Sequence, residues 1–137
     1  MHRRSVSILL LLLSSSIAAV SRSVWDGVYT KQQAGRGQSA YREECLKCHA
    51  ENLMGGEAAP ALAGAEFLHE WNGKTAADLF ELIRKTMPSE DPGNLSRRQY
   101  ADILAYILSV NEFPAGQKEL ESETAPLNDI RIDQKPR

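Results

Sequence analysis

Two cysteines and a histidine within five residues carry the most evident chemistry of this sequence, in the segment Cys45-Leu46-Lys47-Cys48-His49. On a helix, which advances about 100° per residue, positions 45, 48 and 49 fall on one face. Two thiols one turn apart can each bond a vinyl group of haem, and the adjacent histidine can bind the iron from the same side. C-x-x-C-H is the attachment signature of c-type haem. The motif therefore predicts one covalent haem c on Cys45 and Cys48, with His49 as an axial iron ligand.

Other uses of the same residues explain less of the motif. A thioredoxin-like redox pair needs a strand-helix-strand context, whereas the surrounding residues predict helix and loop. A structural zinc site needs four ligands, usually two such pairs. The chain has only two cysteines, and His2 and His69 do not make a second pair. A plain disulfide, the usual fate of cysteines in an exported protein, leaves His49 without a role.

The second axial ligand has two methionine candidates, because methionine is common at this position in electron carriers. Met54 follows His49 by only five residues and lies on the same side of the ring. At about 3.3–3.6 Å per extended residue, that segment could barely wrap the porphyrin edge. Met87 follows His49 by 38 residues, in a Thr86-Met87-Pro88 loop suited to presenting a sulfur. The spacing favours Met87 as the second ligand. The alternative role for Met87, a side chain that fills a gap in the core, is less favoured.

His69 is a rival ligand, since bis-histidine ligation also occurs in haem proteins. Residues 65–71 predict a short helix whose apolar residues are Phe67, Leu68 and Trp71. His69 is offset from that face and lies beside acidic residues. We therefore expect its side chain to be exposed to solvent.

The first 21 residues have the order of a secretory signal peptide. Arg3 and Arg4 form a positive n-region, 8–13 is an aliphatic run, and small residues follow. A membrane anchor would need about 20 apolar residues, whereas this stretch has 15 and is interrupted by serines. We expect export to the periplasm, cleavage near residue 21 and no stable membrane insertion of the mature protein.

Length and charge limit the other function classes. The chain has 137 residues and a formal charge of −2, which fits one small domain. Removing residues 1–21 takes away two arginines and no acids, so the charge becomes −4. No basic patch or lysine and arginine run indicates nucleic-acid binding.

The remaining patterns predict an all-α domain of three or four helices. Helix one is expected over 37–48. Thr75 with Asp78, and Ser96 with Gln99, have the spacing of capping boxes that open two later helices. The last of these helices has apolar residues every three and four positions and ends near Asn111. Its stripe is Tyr100, Ile103, Leu104, Ile107 and Leu108.

Residues from about 25 to 119 resemble the class I cytochrome c family. They are most similar to small periplasmic monohaem cytochromes that occur beside, or fused to, quinoprotein dehydrogenases. The C-x-x-C-H and Met87-Pro88 are the specific elements of this resemblance. The supporting pattern is Gly37-x3-Tyr41-x3-Cys45, Gly55-Gly56, Ala59-Pro60-Ala61-Leu62-Ala63-Gly64, Phe67, Trp71, and Asp102-Ile103-Leu104-Ala105-Tyr106-Ile107-Leu108.

The resemblance implies a cytochrome c fold wrapped round one haem. It implies that Gly37 lets the first helix approach the last, with Tyr41 and Tyr106 near the crossing. It also implies that the Pro60 carbonyl accepts a hydrogen bond from His49, which orients the ring and raises its basicity.

The expected domain organisation has four parts. A signal peptide covers 1–21, and an N-terminal extension packed on the surface covers 22–36. The cytochrome c domain covers 37–119. Residues 120–137 are charged, contain proline and have no sustained stripe, so a flexible C-terminal tail is expected there.

A six-coordinate iron leaves no open position for a substrate, so we expect an electron carrier and not an enzyme. The expected partners are a periplasmic dehydrogenase and a terminal acceptor, met through small, transient contacts by a monomeric carrier. Two alternatives remain. One is a cytochrome subunit bound tightly in a quinoprotein dehydrogenase complex, and the other is a haem enzyme or gas-binding protein with an open sixth site.

Overall fold

Two fourteen-residue helices, α1 (Lys31–Glu44) and α5 (Arg97–Val110), cross at the centre of the fold. The computed structural model describes residues 21–136. A Cβ atom added to Gly37 would lie 1.8 Å from the carbonyl oxygen of Asp102, so only glycine permits this approach. The rings of Tyr41 and Tyr106 pack nearby, with centroids 5.4 Å apart. The expected close crossing of the first and last helices is therefore confirmed.

The described residues are mostly helical, which confirms the predicted all-α class. Four helices have eight residues or more, in agreement with the predicted three to four, and two have four residues. Besides α1 and α5, they are α2 (Leu46–His49), α3 (Gly64–Trp71), α4 (Ala76–Thr86) and α6 (Thr124–Leu127).

Side-chain caps explain where α4 and α5 begin. Thr75 and Asp78 bond each other's backbone N–H groups at the start of α4, and Ser96 and Gln99 do the same at the start of α5. Both predicted capping boxes are therefore present. Asn111 is the C-cap of α5, as the sequence pattern indicated.

The first helix begins six residues earlier than predicted. The Thr30 hydroxyl accepts a hydrogen bond from the backbone N–H of Gln33 and caps α1 at Lys31. The helix then ends at Glu44, and Cys45 separates it from α2. The expected boundary between an extension and the domain, at 36 and 37, thus lies inside α1.

The N-terminal extension was expected on the surface, and the structure contradicts this. Val24, Val28 and Tyr29 are buried in the core. The Tyr29 hydroxyl donates a 2.5 Å hydrogen bond to the carbonyl oxygen of Phe113, just past α5. The Trp25 ring packs edge-on against Phe113, with centroids 4.9 Å apart. The extension is part of the hydrophobic core because its apolar side chains fill the space beyond the end of α5.

The predicted flexible C-terminal tail is also wrong for the described residues 120–136. The segment packs back across the domain, and its backbone forms strand β2 (Ile130–Arg131), parallel to strand β1 (Arg22–Ser23). Four of its side chains are buried in the core, and they explain why the segment is held in place. They are Leu120, Leu127, Ile130 and Ile132.

Polar contacts fasten this segment to two helices. The buried side-chain amide of Gln33 in α1 bonds both the N–H and the carbonyl of Leu120. The Glu81 carboxylate in α4 accepts hydrogen bonds from Arg84 and from the Thr124 hydroxyl. Arg84 and Thr124 hold the pKa of Glu81 down to about 2, so this carboxylate is ionised at neutral pH.

The predicted signal segment lies outside the described residues, apart from its last position. Within 21–136, no helix has both the length and the apolar composition that crossing a membrane requires.

Candidate haem site

One cavity of about 590 Å³ collects the residues that the sequence singled out. A pocket of this size is ordinary for a cofactor or other small organic ligand. Cys45, Cys48, His49, Pro60 and Met87 all line it. The structure therefore brings together every residue of the predicted haem site, although they come from three separate parts of the chain.

His49 ends α2 and is almost fully buried, with 6% of its surface exposed. Its Nδ1 donates a 3.0 Å hydrogen bond to the carbonyl oxygen of Pro60. This contact is the one that the resemblance implied. With Nδ1 engaged by this carbonyl, Nε2 is the nitrogen that could bind a metal.

A tight loop after α2 returns the chain to His49. Gly55 has a φ of +68°, and a Cβ there would lie 2.4 Å from the carbonyl oxygen of Ala59. The Gly55 N–H donates to the carbonyl of His49 at 3.0 Å. These close backbone contacts place Pro60 beside the imidazole.

Ala50 is the point where this loop leaves the helix, and its backbone is unusual. Its φ of 65° and ψ of 165° fall in a region that residues with a Cβ rarely adopt. The Tyr41 hydroxyl donates a 2.6 Å hydrogen bond to the Ala50 carbonyl. Tyr41 therefore holds the strained residue that follows His49, and so links the helix crossing to the site.

The side chains of both cysteines line the cavity. Cys48 is exposed and Cys45 is partly buried. Burial, with a further contribution from the Glu44 charge, raises the pKa of the Cys45 thiol to about 11. Cys45 is therefore a neutral thiol near pH 7 in the chain itself.

Met87 lies at the C-terminal end of α4, far from the cysteines along the chain. Its backbone N–H completes the helix by donating to Ile83 at 2.8 Å. Its carbonyl accepts a 2.7 Å hydrogen bond from the Tyr100 hydroxyl on α5. The side chain is half-buried and lines the cavity.

Met54 and His69, the two ligand candidates that the sequence disfavoured, lie in different places. Met54 is 49% exposed and does not line the cavity. His69 is exposed, as predicted, but it does line the cavity from α3. Of the two methionines, only Met87 is in the cavity with His49.

An exposed ion pair joins α2 to the Met87 loop. Lys47 Nζ lies 2.9 Å from a carboxylate oxygen of Glu90, and both side chains are largely exposed. The pair lowers the pKa of Glu90 and raises that of Lys47. Water screens an exposed pair of this kind, so it fastens the loop only weakly.

The donor set and the walls of the cavity fit haem c. Two thiols are available for covalent attachment, and an imidazole and a thioether are suitable iron ligands. Leu82 of α4 is 50% exposed and faces this cavity. The apolar side chains of the wall suit the faces of a porphyrin. They are Leu62, Trp71, Leu79, Leu82, Ile83, Ile103 and Ile107.

Sequence reasoning missed two hydroxyl contacts at this site, those of Tyr41 and Tyr100. The resemblance placed Tyr41 near the helix crossing, and periodicity placed Tyr100 in the apolar stripe of the last helix. Neither signal said anything about the hydroxyl groups. No short-range signal predicts a bond from a tyrosine to a backbone carbonyl 13 residues away, as in Tyr100 and Met87.

Comparison with solved structures supports the fold. The chain matches one chain of the sulfane dehydrogenase SoxCD from Paracoccus pantotrophus, with a TM-score of 0.51 and 17% sequence identity. The match covers 79% of this chain and 61% of that one, so our chain spans about three fifths of its length. At this identity the likeness concerns the fold alone. No curated protein matches the chain.

A family model matches more than half of the chain. Its description is "Cytochrome C oxidase, cbb3-type, subunit III", and it covers residues 32–107, from α1 into α5. This range contains the C-x-x-C-H segment and Met87. The chain therefore belongs to this family of cytochrome c domains, its cofactor is covalently bound haem c, and its role is that of a haem electron carrier.

Proposed function

We propose that the protein is a periplasmic carrier that passes one electron at a time from a dehydrogenase to a downstream acceptor. One observation carries the proposal: a single cavity collects two thiols, a buried histidine and a methionine thioether. Haem c supplies a one-electron iron couple when it is bound in such a site.

We assign the contacts of the chain to the cofactor as follows. Cys45 and Cys48 form the thioether links. His49, oriented by its hydrogen bond to Pro60, and Met87 are the two axial ligands. A thioether is a soft and neutral ligand, so Met87 raises the reduction potential relative to harder donors.

Binding of the iron by protein side chains on both faces of the haem favours a carrier over an enzyme. A peroxidase or a gas-binding protein needs an open sixth position, and in our assignment Met87 fills it. Exposing the reduced protein to carbon monoxide separates these functions. We expect the spectrum of the carrier to stay unchanged, whereas a spectrum typical of a carbon monoxide complex would indicate an open site.

Covalent attachment is tested by a haem stain on a denaturing gel, since only a covalently bound group survives denaturation. The protein must be produced with a working cytochrome c maturation system. We expect the wild-type band to stain and the Cys45→Ser, Cys48→Ser double variant to remain unstained. A colourless wild-type band would refute the assignment.

Replacing Met87 by alanine tests the axial ligand. We expect the weak far-red charge-transfer band of the ferric protein, which marks methionine ligation, to disappear completely. We also expect the reduction potential to fall, because the soft sulfur ligand is lost. The optical spectrum and a redox titration measure the two effects.

Met54→Ala is the matched control for this experiment, because Met54 is exposed and lies outside the cavity. Its far-red band and potential should equal those of the wild type. Persistence of the band in Met87→Ala would show that another residue is the ligand, with His69 the first to be tested because it lines the same cavity.

A second candidate function is that of a cytochrome subunit bound permanently in a dehydrogenase complex. The solved structure matched by the fold is a sulfane dehydrogenase, and the family description names an oxidase subunit. Affinity purification from the native periplasm distinguishes the candidates. A free carrier elutes as a monomer at the physiological ionic strength of about 0.15 M, whereas a subunit elutes with a dehydrogenase in a fixed ratio.

Export itself is tested on the mature protein. Sequencing its N-terminus should give a start near residue 22, and the protein should be released with the periplasmic fraction. A start at Met1 would contradict cleavage of residues 1–21.

A further inference from the structure

The backbone of Met87 is fixed on both sides of its α-carbon. Its N–H donates to the carbonyl of Ile83 at 2.8 Å, as the last bond of α4. Its carbonyl accepts from the Tyr100 hydroxyl at 2.7 Å and from the Gly93 N–H at 3.3 Å. The Tyr100 distance is usual for an O–H···O bond, whereas 3.3 Å exceeds the usual N–H···O range. We therefore take the Tyr100 bond as the stronger of the two restraints on this carbonyl.

Tyr100 reaches Met87 from behind the cavity. It lies in the first turn of α5 and is 1% exposed, so its ring is part of the core. Ile103 and Ile107, further along the same face of α5, line the cavity, and Tyr100 does not. Its effect on the site therefore acts through the backbone of Met87.

The loop after Met87 has few other anchors. Residues 89–94 are all exposed, so no buried side chain fixes this stretch. Within it, the Asp91 N–H donates to Pro88 at 3.0 Å and the Asn94 N–H to Asp91 at 3.4 Å, both local turn contacts. The Lys47–Glu90 pair is open to water and weak. The buried Tyr100 hydroxyl is thus the main long-range restraint on the loop.

We propose that Tyr100 is a positioning residue for the methionine ligand. Its hydroxyl holds the Met87 carbonyl, and with it the direction of the bond from the α-carbon to the side chain, so that the sulfur stays in the cavity. This inference rests on the proposed function, in which Met87 binds the iron. Without the hydroxyl, the carbonyl loses a partner and the methionine becomes easier to displace by an outside ligand.

Imidazole titration of the ferric holoprotein tests the proposal with Tyr100→Phe, which keeps the ring and removes only the hydroxyl. Imidazole competes with methionine for the metal, and loss of the far-red band reports the displacement. One buried hydrogen bond corresponds to about a three- to tenfold change in an equilibrium. We therefore expect the imidazole concentration at half displacement to fall by about three- to tenfold.

Tyr29→Phe is the matched control. It removes a buried hydroxyl that also donates to a backbone carbonyl, that of Phe113, and Tyr29 does not line the haem cavity. A structural role alone would change the thermal stability of both variants and leave both imidazole midpoints alike. We expect the Tyr29→Phe midpoint to equal that of the wild type.

Three outcomes would overturn the proposal. Equal midpoints in Tyr100→Phe and wild type would show that the hydroxyl does not position the ligand. Equal shifts in Tyr100→Phe and Tyr29→Phe would show a general loss of stability. If Met87→Ala keeps the far-red band, the ligand assignment fails and this inference fails with it. If Met87→Ala loses the band and Tyr100→Phe behaves as wild type, only the role of Tyr100 is refuted.

Discussion

Replacing Gly37 by alanine is expected to destabilise the protein by about 3 kcal/mol or more, at or above the upper end of overpacking substitutions. The new Cβ would lie 1.8 Å from the carbonyl oxygen of Asp102 and 2.9 Å from the Tyr106 Cβ. A carbon and a carbonyl oxygen need about 3.3 Å, so α1 and α5 would have to move apart by on the order of 1.5 Å. Backbone atoms cannot rotate away as a side chain can.

The displacement would extend to the haem site. Ile103 and Ile107 of α5 line the cavity, and Tyr100 bonds the carbonyl of Met87. Asp102 is also held by Arg36, with two 3.0 Å contacts across the crossing. A shift of α5 relative to α1 therefore strains this ion pair and the wall of the cavity together.

Gly35→Ala is the control for this substitution, in the same helix and two residues away. A Cβ at Gly35 meets no atom within 4 Å. Alanine favours the helix more than glycine does, so this variant should be more stable by about 0.5–1 kcal/mol. Denaturant unfolding of the two holoproteins, followed by circular dichroism, measures the difference. Equal stabilities would contradict the helix crossing described above.

The local parts of this molecule were predictable from the sequence. The C-x-x-C-H segment needs only a helical turn to bring Cys45, Cys48 and His49 to one face. Capping boxes such as Thr75 with Asp78 depend on residues three apart, and both predicted boxes formed. The position of Met87 in the cavity followed from its distance along the chain and from the Met-Pro loop. Each of these signals is short in range or limited by chain length.

The packing of the C-terminal segment was not predictable from local patterns. Leu120, Leu127, Ile130 and Ile132 are spaced by seven, three and two residues, so they match neither a helix nor a strand period. Each is buried because distant parts of the chain surround it. The segment also has many charged residues, which a sequence pattern associates with disorder. Burial of four apolar side chains outweighs that composition here.

The start of α1 was misplaced for a related reason. Gly35 and Gly37 each disfavour a helix by about 1 kcal/mol relative to alanine, so local propensity gives no support to a helix that runs through both. In the structure, packing against α5 requires a glycine at 37, and the Thr30 cap supplies an earlier start. Tertiary contact therefore overrides the local propensity.

Deleting residues 120–137 is expected to remove about 4 kcal/mol or more of the free energy of unfolding. Burial of each large aliphatic side chain contributes about 1.5–3 kcal/mol, and four are lost. The entropy of ordering the segment offsets part of this sum. Small domains have about 5–15 kcal/mol in total, so the loss is a large fraction of the stability.

A shorter deletion, of residues 135–137, is the control, because Lys135 and Pro136 are exposed and all four buried aliphatic residues are retained. Its urea midpoint should equal that of the full chain. Leu127→Ala, at a side chain with 0% exposure, should alone cost about 2–5 kcal/mol. If the long deletion unfolds at the same urea concentration as the full chain, the segment is a flexible tail. Its described packing against the domain is then contradicted. If the long deletion is destabilised while the far-red band persists in its folded fraction, the segment contributes to stability through its contacts with α4. Met87 is then held in place by α5, without the segment.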